Sequence, residues 1–362
     1  MRKWNRIILY SVFVLLTGQS LGQPDLSKDQ EDAVSVLESD DQSWMGLFDL
    51  SRYAFRDLTL YWDNDGTVPN FIDDTDRYYT NSNGIELSFD PRLSPALASR
   101  LAISEEGEQR FGVGISLKQR IYTPTNILLV NPPARDHPYG GHLALEFAFQ
   151  RADAKKHDHF ALSLGITGHT SGAETIQGWI HNTFPDEDDP LGWNTQLPTE
   201  ATLNFSYMRT WKSKPADIGG LELEMLPSLG FDVGTALIDA RSSMTLRVGK
   251  HLPDDFGPAS LLKHRDHTIR TSDASESNWS IYGYATLGVD AIAHDIFLDG
   301  TVFSSSRSAM REPLVATFTF GLIVQYESFY IGWSQSLQSE RFELQPDRQT
   351  YGSLVLGCSF DW

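Results

Sequence analysis

Along most of the chain, hydrophobic and polar residues alternate one by one. This two-residue period belongs to β-strands with one apolar face. Leu58, Leu60 and Trp62 alternate with Thr59 and Tyr61, and Ile85, Leu87 and Phe89 with Glu86 and Ser88. Leu143, Leu145, Phe147 and Phe149 alternate with His142, Ala144, Glu146 and Ala148. The same rhythm recurs from Leu203 to Trp211, from Thr317 to Val324 and from Phe329 to Leu337. In the last twelve residues Gly352, Leu354, Leu356, Cys358, Phe360 and Trp362 form a greasy set, and Tyr351, Ser353, Val355, Gly357, Ser359 and Asp361 a mostly small or polar one. Twelve strands are predicted, starting near Phe55, Gly84, Arg110, Gly141, His159, Ala201, Leu221, Asp239, Asn278, Ala309, Ser328 and Tyr351.

Segments of this length and alternation, closing on a strand with an aromatic end, predict an all-β fold: a twelve-stranded antiparallel transmembrane β-barrel. A soluble β-sandwich shows similar alternation, but the aromatic end and the export signal at the N-terminus favour the membrane. Twelve strands make a narrow barrel whose lumen side chains can largely fill. An even count puts both chain ends on the periplasmic side. Residues near 64–83, 122–140, 169–200, 232–238, 299–308 and 343–350 then become extracellular connections, where barrel function usually resides.

The N-terminus fits that compartment. Arg2, Lys3 and Arg6 precede an apolar run from Ile7 to Leu16, and small residues follow at Ser20 and Gly22. This reads as a signal peptide over residues 1–22, with an apolar run too short to span a membrane as a helix. No cysteine lies near the expected cleavage point, so no lipid anchor is expected there. Residues 23–50 are polar and acidic and read as a periplasmic leader, and residues 51–362 as the barrel. The formal net charge is −19; residues 1–22 carry three positive charges and no acids, so their removal leaves −22. Such a chain does not bind nucleic acid by charge, but it can recruit divalent cations. The single cysteine, Cys358, excludes an intramolecular disulfide. A monomer is expected.

Three segments carry candidate chemistry. Asp63-Asn64-Asp65, at the upper end of strand one, offers carboxylate and amide oxygens suited to a hard cation, or simply makes a solvated turn. Thr75 to Asn81 leads into strand two; its Tyr78 and Tyr79 also suit an interfacial aromatic belt. In the third loop, Thr170 or Ser171 can cap a short helix with Glu174 in its first turn, placing Gln177 and His181 on one helical face. Asn64, Asp65, Thr80, Gln177 and His181 all fall on one side of the membrane. No Gly-x-Ser-x-Gly or nucleotide-binding loop occurs, so water suits a hydrolase nucleophile here better than serine.

Taken together, these segments resemble the outer-membrane lipid A 3'-O-deacylase family. The matching pieces are Asn64-Asp65, Tyr79-Thr80-Asn81, Gln177 to His181, and Gly192-Trp193-Asn194-Thr195-Gln196, with Ile121 to Pro124 and the Pro-Tyr-Gly-Gly from Pro138 alongside. The resemblance spans roughly residues 55–362. The chain departs from the family pattern at Asp136-His137-Pro138-Tyr139-Gly140-Gly141 and at Ser82-Asn83 before Gly84. Both departures bear on loop shape and acyl-chain preference. The resemblance implies a calcium-dependent esterase acting on lipid A of lipopolysaccharide among outer-membrane lipids. It implies His181 as general base, Asp65 with an acid from Asp186–Asp189 (here Glu187) on calcium, Asn64 as an oxyanion donor, and Thr80 and Gln177 as positioning groups. Alternatives are an outer-membrane phospholipase, or a porin or adhesin without catalysis.

Overall fold

The computed structural model describes residues 53–360 apart from 67–68, 73–74, 105–106, 184–188 and 259–276. The signal peptide, the acidic leader, Glu187 and Trp362 lie outside the described residues. The chain divides into two units at Arg52/Tyr53, and the second of them is the sheet unit.

Twelve long strands form one antiparallel sheet: β1 (Tyr53–Asn64), β2 (Tyr78–Pro91), β3 (Arg110–Thr123), β4 (Gly140–Ala152), β5 (Lys156–Thr167), β6 (Ala201–Trp211), β7 (Glu222–Gly234), β8 (Leu237–Lys250), β9 (Trp279–Asp295), β10 (Leu314–Tyr326), β11 (Phe329–Gln338) and β12 (Gln349–Ser359). Each pairs with the next, and β1 closes on β12 in the register Leu60↔Leu356 and Asn64↔Gly352. A two-residue ladder at Ala216–Asp217 extends the β6–β7 hairpin. No sheet edge is therefore left open.

The side-chain distribution is inside out relative to a soluble protein. Leu60, Ile85, Leu87, Ile115, Leu117, Leu145, Phe147, Leu162 and Leu164 point outward and are exposed. The interior holds charges in pairs. Lys118 Nζ donates to Glu146 at 2.8 Å, and Arg247, fully buried, binds Glu224 at 2.6 Å and also Asp255. Buried charges persist only when partnered in this way. An apolar outer wall around a polar interior is the pattern of an outer-membrane barrel, and this is the protein's location. Among the described residues no helix is long and apolar enough to cross a membrane.

Ten of the twelve strand starts lie within three residues of their sequence expectation. Strand β2 begins at Tyr78 rather than near Gly84. A bulge between Tyr79 and Asn81 breaks the period, and the outward positions Asn81 and Asn83 are polar. Strand β10 begins at Leu314 rather than near Ala309. Pro313 precedes it without an N–H to donate, and Ala309 N is spent on Leu298 O at 2.7 Å.

Among the described residues, three α-helices lie between strands. Helix α1 (Pro95–Leu101) follows β2, α2 (Ala173–Thr183) lies in the loop between β5 and β6, and α3 (Ile296–Asp299) follows β9. Only α2 is predicted from the sequence. Ile296 and Phe297 of α3 join Tyr79, Tyr122, Leu197 and Tyr351 in a buried cluster at the extracellular ends of β2, β3 and β12. Phe297 stacks on Tyr122 at 4.0 Å. This aromatic packing occupies the mouth of the barrel.

Candidate active site

Helix α2 lies against the outside of the wall, not over the lumen. In β4 the outward set is Gly141, Leu143, Leu145 and Phe147. A Cβ on Gly141 would stand 2.1 Å from Ser171 Oγ and 2.3 Å from Ala173 Cβ, so only glycine lets the helix seat there. Below it, Ile121, Tyr139, Ala173 and Trp193 form one buried cluster. Gly172, left-handed at φ +73°, turns the chain from a single 3₁₀ turn (His169–Ser171) into α2. The residue before the helix is Gly172, whose carbonyl accepts from Ile176 N at 3.1 Å, while Ser171 Oγ accepts from Ala173 N at 3.4 Å; the N-cap expected at Thr170 or Ser171 therefore falls on Gly172.

The helix carries Gln177 and His181 on its buried face. Both reach the same group. His181 Nε2 lies 3.2 Å from Asp76 Oδ2, and Gln177 Nε2 donates to Asp76 Oδ1 at 3.1 Å. Gln177 Oε1 accepts from Trp193 Nε1 at 2.9 Å, which places the Gly192-Trp193 motif in the site. Asp76 stands in a loop with no periodic signal and is absent from the sequence-derived candidates. Its only sequence cue is its place in the Thr75–Asn81 segment.

The remaining candidates surround Asp76. Asp65 Oδ2 accepts from Thr75 Oγ1 at 2.9 Å and from Arg77 N at 2.8 Å, gripping the residues on either side of it. Thr80 Oγ1 meets Thr123 Oγ1 at 2.6 Å, and Thr123 Oγ1 donates to Asp76 O at 3.2 Å. Asn64 Oδ1 accepts from Gly66 N at 2.7 Å, and its Nδ2 donates to Thr80 O at 3.3 Å, leaving a second amide hydrogen. Asn81, cross-strand partner of Asn64, is buried, and its Nδ2 has no hydrogen-bond partner. Thus Asn64, Asp65, Thr80, Gln177 and His181 converge, on the lipid-facing side of the rim. Glu187 lies outside the described residues.

Electrostatically the site is short of positive charge. Burial, and then the negative charge of Asp76, pushes the Asp65 carboxyl well above the usual carboxylate range. The Asp65 carboxylate, with amide, carbonyl and hydroxyl oxygens nearby, suits a hard cation, whose charge would relieve the repulsion from Asp76. Among the described residues no three His, Cys, Asp or Glu side chains gather as a complete ligand set, so further ligands would have to come from neutral oxygens or from Glu187. Around the site, exposed apolar side chains collect at Leu128, Leu129, Val130, Trp179 and Leu191. Leu191 N bonds Ile127 O at 2.9 Å, tying two of these segments together.

Comparison with known proteins gives a family for the chain and a solved barrel of the same fold. The family model described as "Outer membrane protein LpxR" matches residues 45–360. Among solved structures, LpxR from Salmonella typhimurium superposes with a TM-score of 0.66 at 14% identity, covering 84% of this chain and 100% of that one. The β domain of the Bordetella autotransporter BrkA gives 0.42 at 10% identity, covering 85% of this chain and 100% of that one. The NalP translocator from Neisseria meningitidis gives 0.37 at 8% identity, covering 92% and 98%. No curated protein matches the chain at a significant level.

Proposed function

The chain belongs to the LpxR family of outer-membrane proteins, and on that premise we propose that it is a calcium-dependent lipid A 3'-O-deacylase. The observation that carries the reading is a histidine, held by a loop helix on the outer wall of the rim, facing a carboxylate of the β1–β2 loop. A lipid in the outer leaflet presents its ester at that height.

In this reading His181 takes a proton from water. The water oxygen bonds to the ester carbonyl carbon, the bond from that carbon to the sugar 3' oxygen breaks, and the proton passes to that oxygen. The products are the acyloxyacyl acid and a free 3'-hydroxyl. Asp65 and Glu187 would hold calcium, which when bound supplies a Lewis acid for the ester carbonyl. The free amide hydrogen of Asn64 adds a donor to the developing oxyanion. Gln177 and Thr80 act through Asp76. The apolar rim formed by Leu128, Leu129, Val130, Trp179 and Leu191 would receive acyl chains. The filled barrel mouth does not favour a porin.

The test is to incubate the purified barrel with lipid A or with diacyl phospholipid in micelles, with calcium or with chelator. Calcium-dependent release of the acyloxyacyl acid from lipid A supports the reading. Cleavage of phospholipid alone would replace it with a phospholipase.

A further inference from the structure

We infer that Asp76 is the positioning residue that fixes His181, so that Nδ1 and not Nε2 is the basic nitrogen. The inference rests on the deacylase reading and adds a member to its machinery. The donor and acceptor roles follow from Trp193. The indole N–H of Trp193 is a donor only, so Gln177 must present Oε1 to it and the amide NH₂ to Asp76. The Asp76 carboxylate, an acceptor, therefore receives one hydrogen bond from Gln177 and faces His181 Nε2 at 3.2 Å. A neutral imidazole has one donor and one acceptor nitrogen. With Nε2–H turned to the carboxylate, the lone pair is on Nδ1.

The backbone around Asp76 is itself held. Its carbonyl accepts from Thr123 Oγ1, which is paired with Thr80, and its neighbours Thr75 and Arg77 both bond Asp65 Oδ2. The next residue but one, Tyr78, sits at φ +64°, a conformation costly for a bulky side chain. It is kept there by burial against Leu298, Ala309 and Phe342. A strained residue held by packing in this way fixes the point at which the segment carrying Asp76 enters β2. When His181 takes the water proton on Nδ1, Asp76 faces the resulting imidazolium, and the same nitrogen returns the proton to the sugar oxygen.

Two measurements test the pairing. Nitrogen-15 NMR of the wild-type barrel in micelles, with His181 assigned through the signal lost in His181→Gln, is expected to show the Nε2–H tautomer. An Nδ1–H tautomer overturns the inference without any mutant of Asp76. Kinetically, Asp76→Asn is expected to lower kcat by about 10²- to 10⁴-fold, with KM and the calcium concentration for half-activity unchanged, and Asp76→Glu to recover part of the loss. An Asp76→Asn enzyme with full kcat, or one rescued by raising calcium, overturns it, the second because Asp76 would then be a metal ligand. A wild type that deacylates nothing sinks the deacylase reading itself. A wild type that does so, matched by Asp76→Asn, sinks only the pairing.

Discussion

Substituting alanine for Gly141 should impair the site without loosening the barrel. The new Cβ would stand 2.3 Å from Ala173 Cβ, about 1.1 Å short of an ordinary van der Waals contact at 3.4 Å. Ala173 has no rotamer to yield. Ser171 Oγ, at 2.1 Å, is already engaged with Gly168 O at 2.6 Å. Helix α2 must therefore lift from the wall by roughly 1 Å, carrying Gln177 and His181 away from Asp76. A misplacement of about 1 Å in a catalytic constellation costs on the order of 10²-fold in rate. The matched control is Gly178→Ala in the same helix, where an added Cβ meets nothing within 4 Å. That change favours the helix by about 0.8–1 kcal/mol and should leave the rate unchanged. The assay is lipid A deacylation by the two variants, with heat-modifiable migration in SDS gels reporting the barrel. Full activity in Gly141→Ala, or equal losses in both variants, would refute the seating of the helix.

Three further outcomes are expected. Trp193→Phe removes the donor that orients Gln177 and should lower kcat by about 10-fold with little change in KM; an unchanged kcat would show that the indole hydrogen bond is idle. His137 is buried in the β3–β4 loop and stacked on Tyr122 at 5.4 Å, and burial lowers its pKa from 6.5 to about 3. The unfolded chain thus binds a proton at a higher pH than the folded one. This contribution to stability is present above pH 6.5 and is lost as pH falls toward 3, by up to a few kcal/mol. Thermal unfolding of wild type against His137→Phe should diverge across that window, whereas parallel curves would exclude His137 as the source. Trp179→Arg, on the exposed face of α2, should raise KM for lipid A while sparing kcat; a change in kcat alone would contradict a role in holding acyl chains.

The barrel is legible because each strand meets lipid on one side and a polar lumen on the other, which writes a two-residue period into the sequence. The period fails where that environment fails. At the upper ends of β2 and β3 the outward wall is covered by α2 and its flanking loops, so Asn81 and Thr123 stand where lipid-facing leucines would otherwise be. The start of β2 departs from its expected place for that reason, and the same polar outward positions mark the site. Helix α2 is readable from Glu174 in its first turn and from the four-residue spacing of Gln177 and His181, although its N-cap falls on Gly172 rather than on Thr170 or Ser171. The four-residue α3 is not, since its apolar Ile296, Phe297 and Leu298 fill the barrel mouth rather than follow a helical period. Asp76 does not stand out in the sequence, because its importance lies in reaching two side chains roughly a hundred residues away.

The most direct test is mass spectrometry of lipid A from outer membranes of a host lacking such an activity, expressing either the wild type or His181→Ala, with both barrels shown to be folded. The expected result is loss of a mass equal to one acyloxyacyl group in wild-type cells, abolished by chelator and absent with His181→Ala. Unchanged lipid A in wild-type cells, or equal loss in both, would contradict hydrolysis by this site.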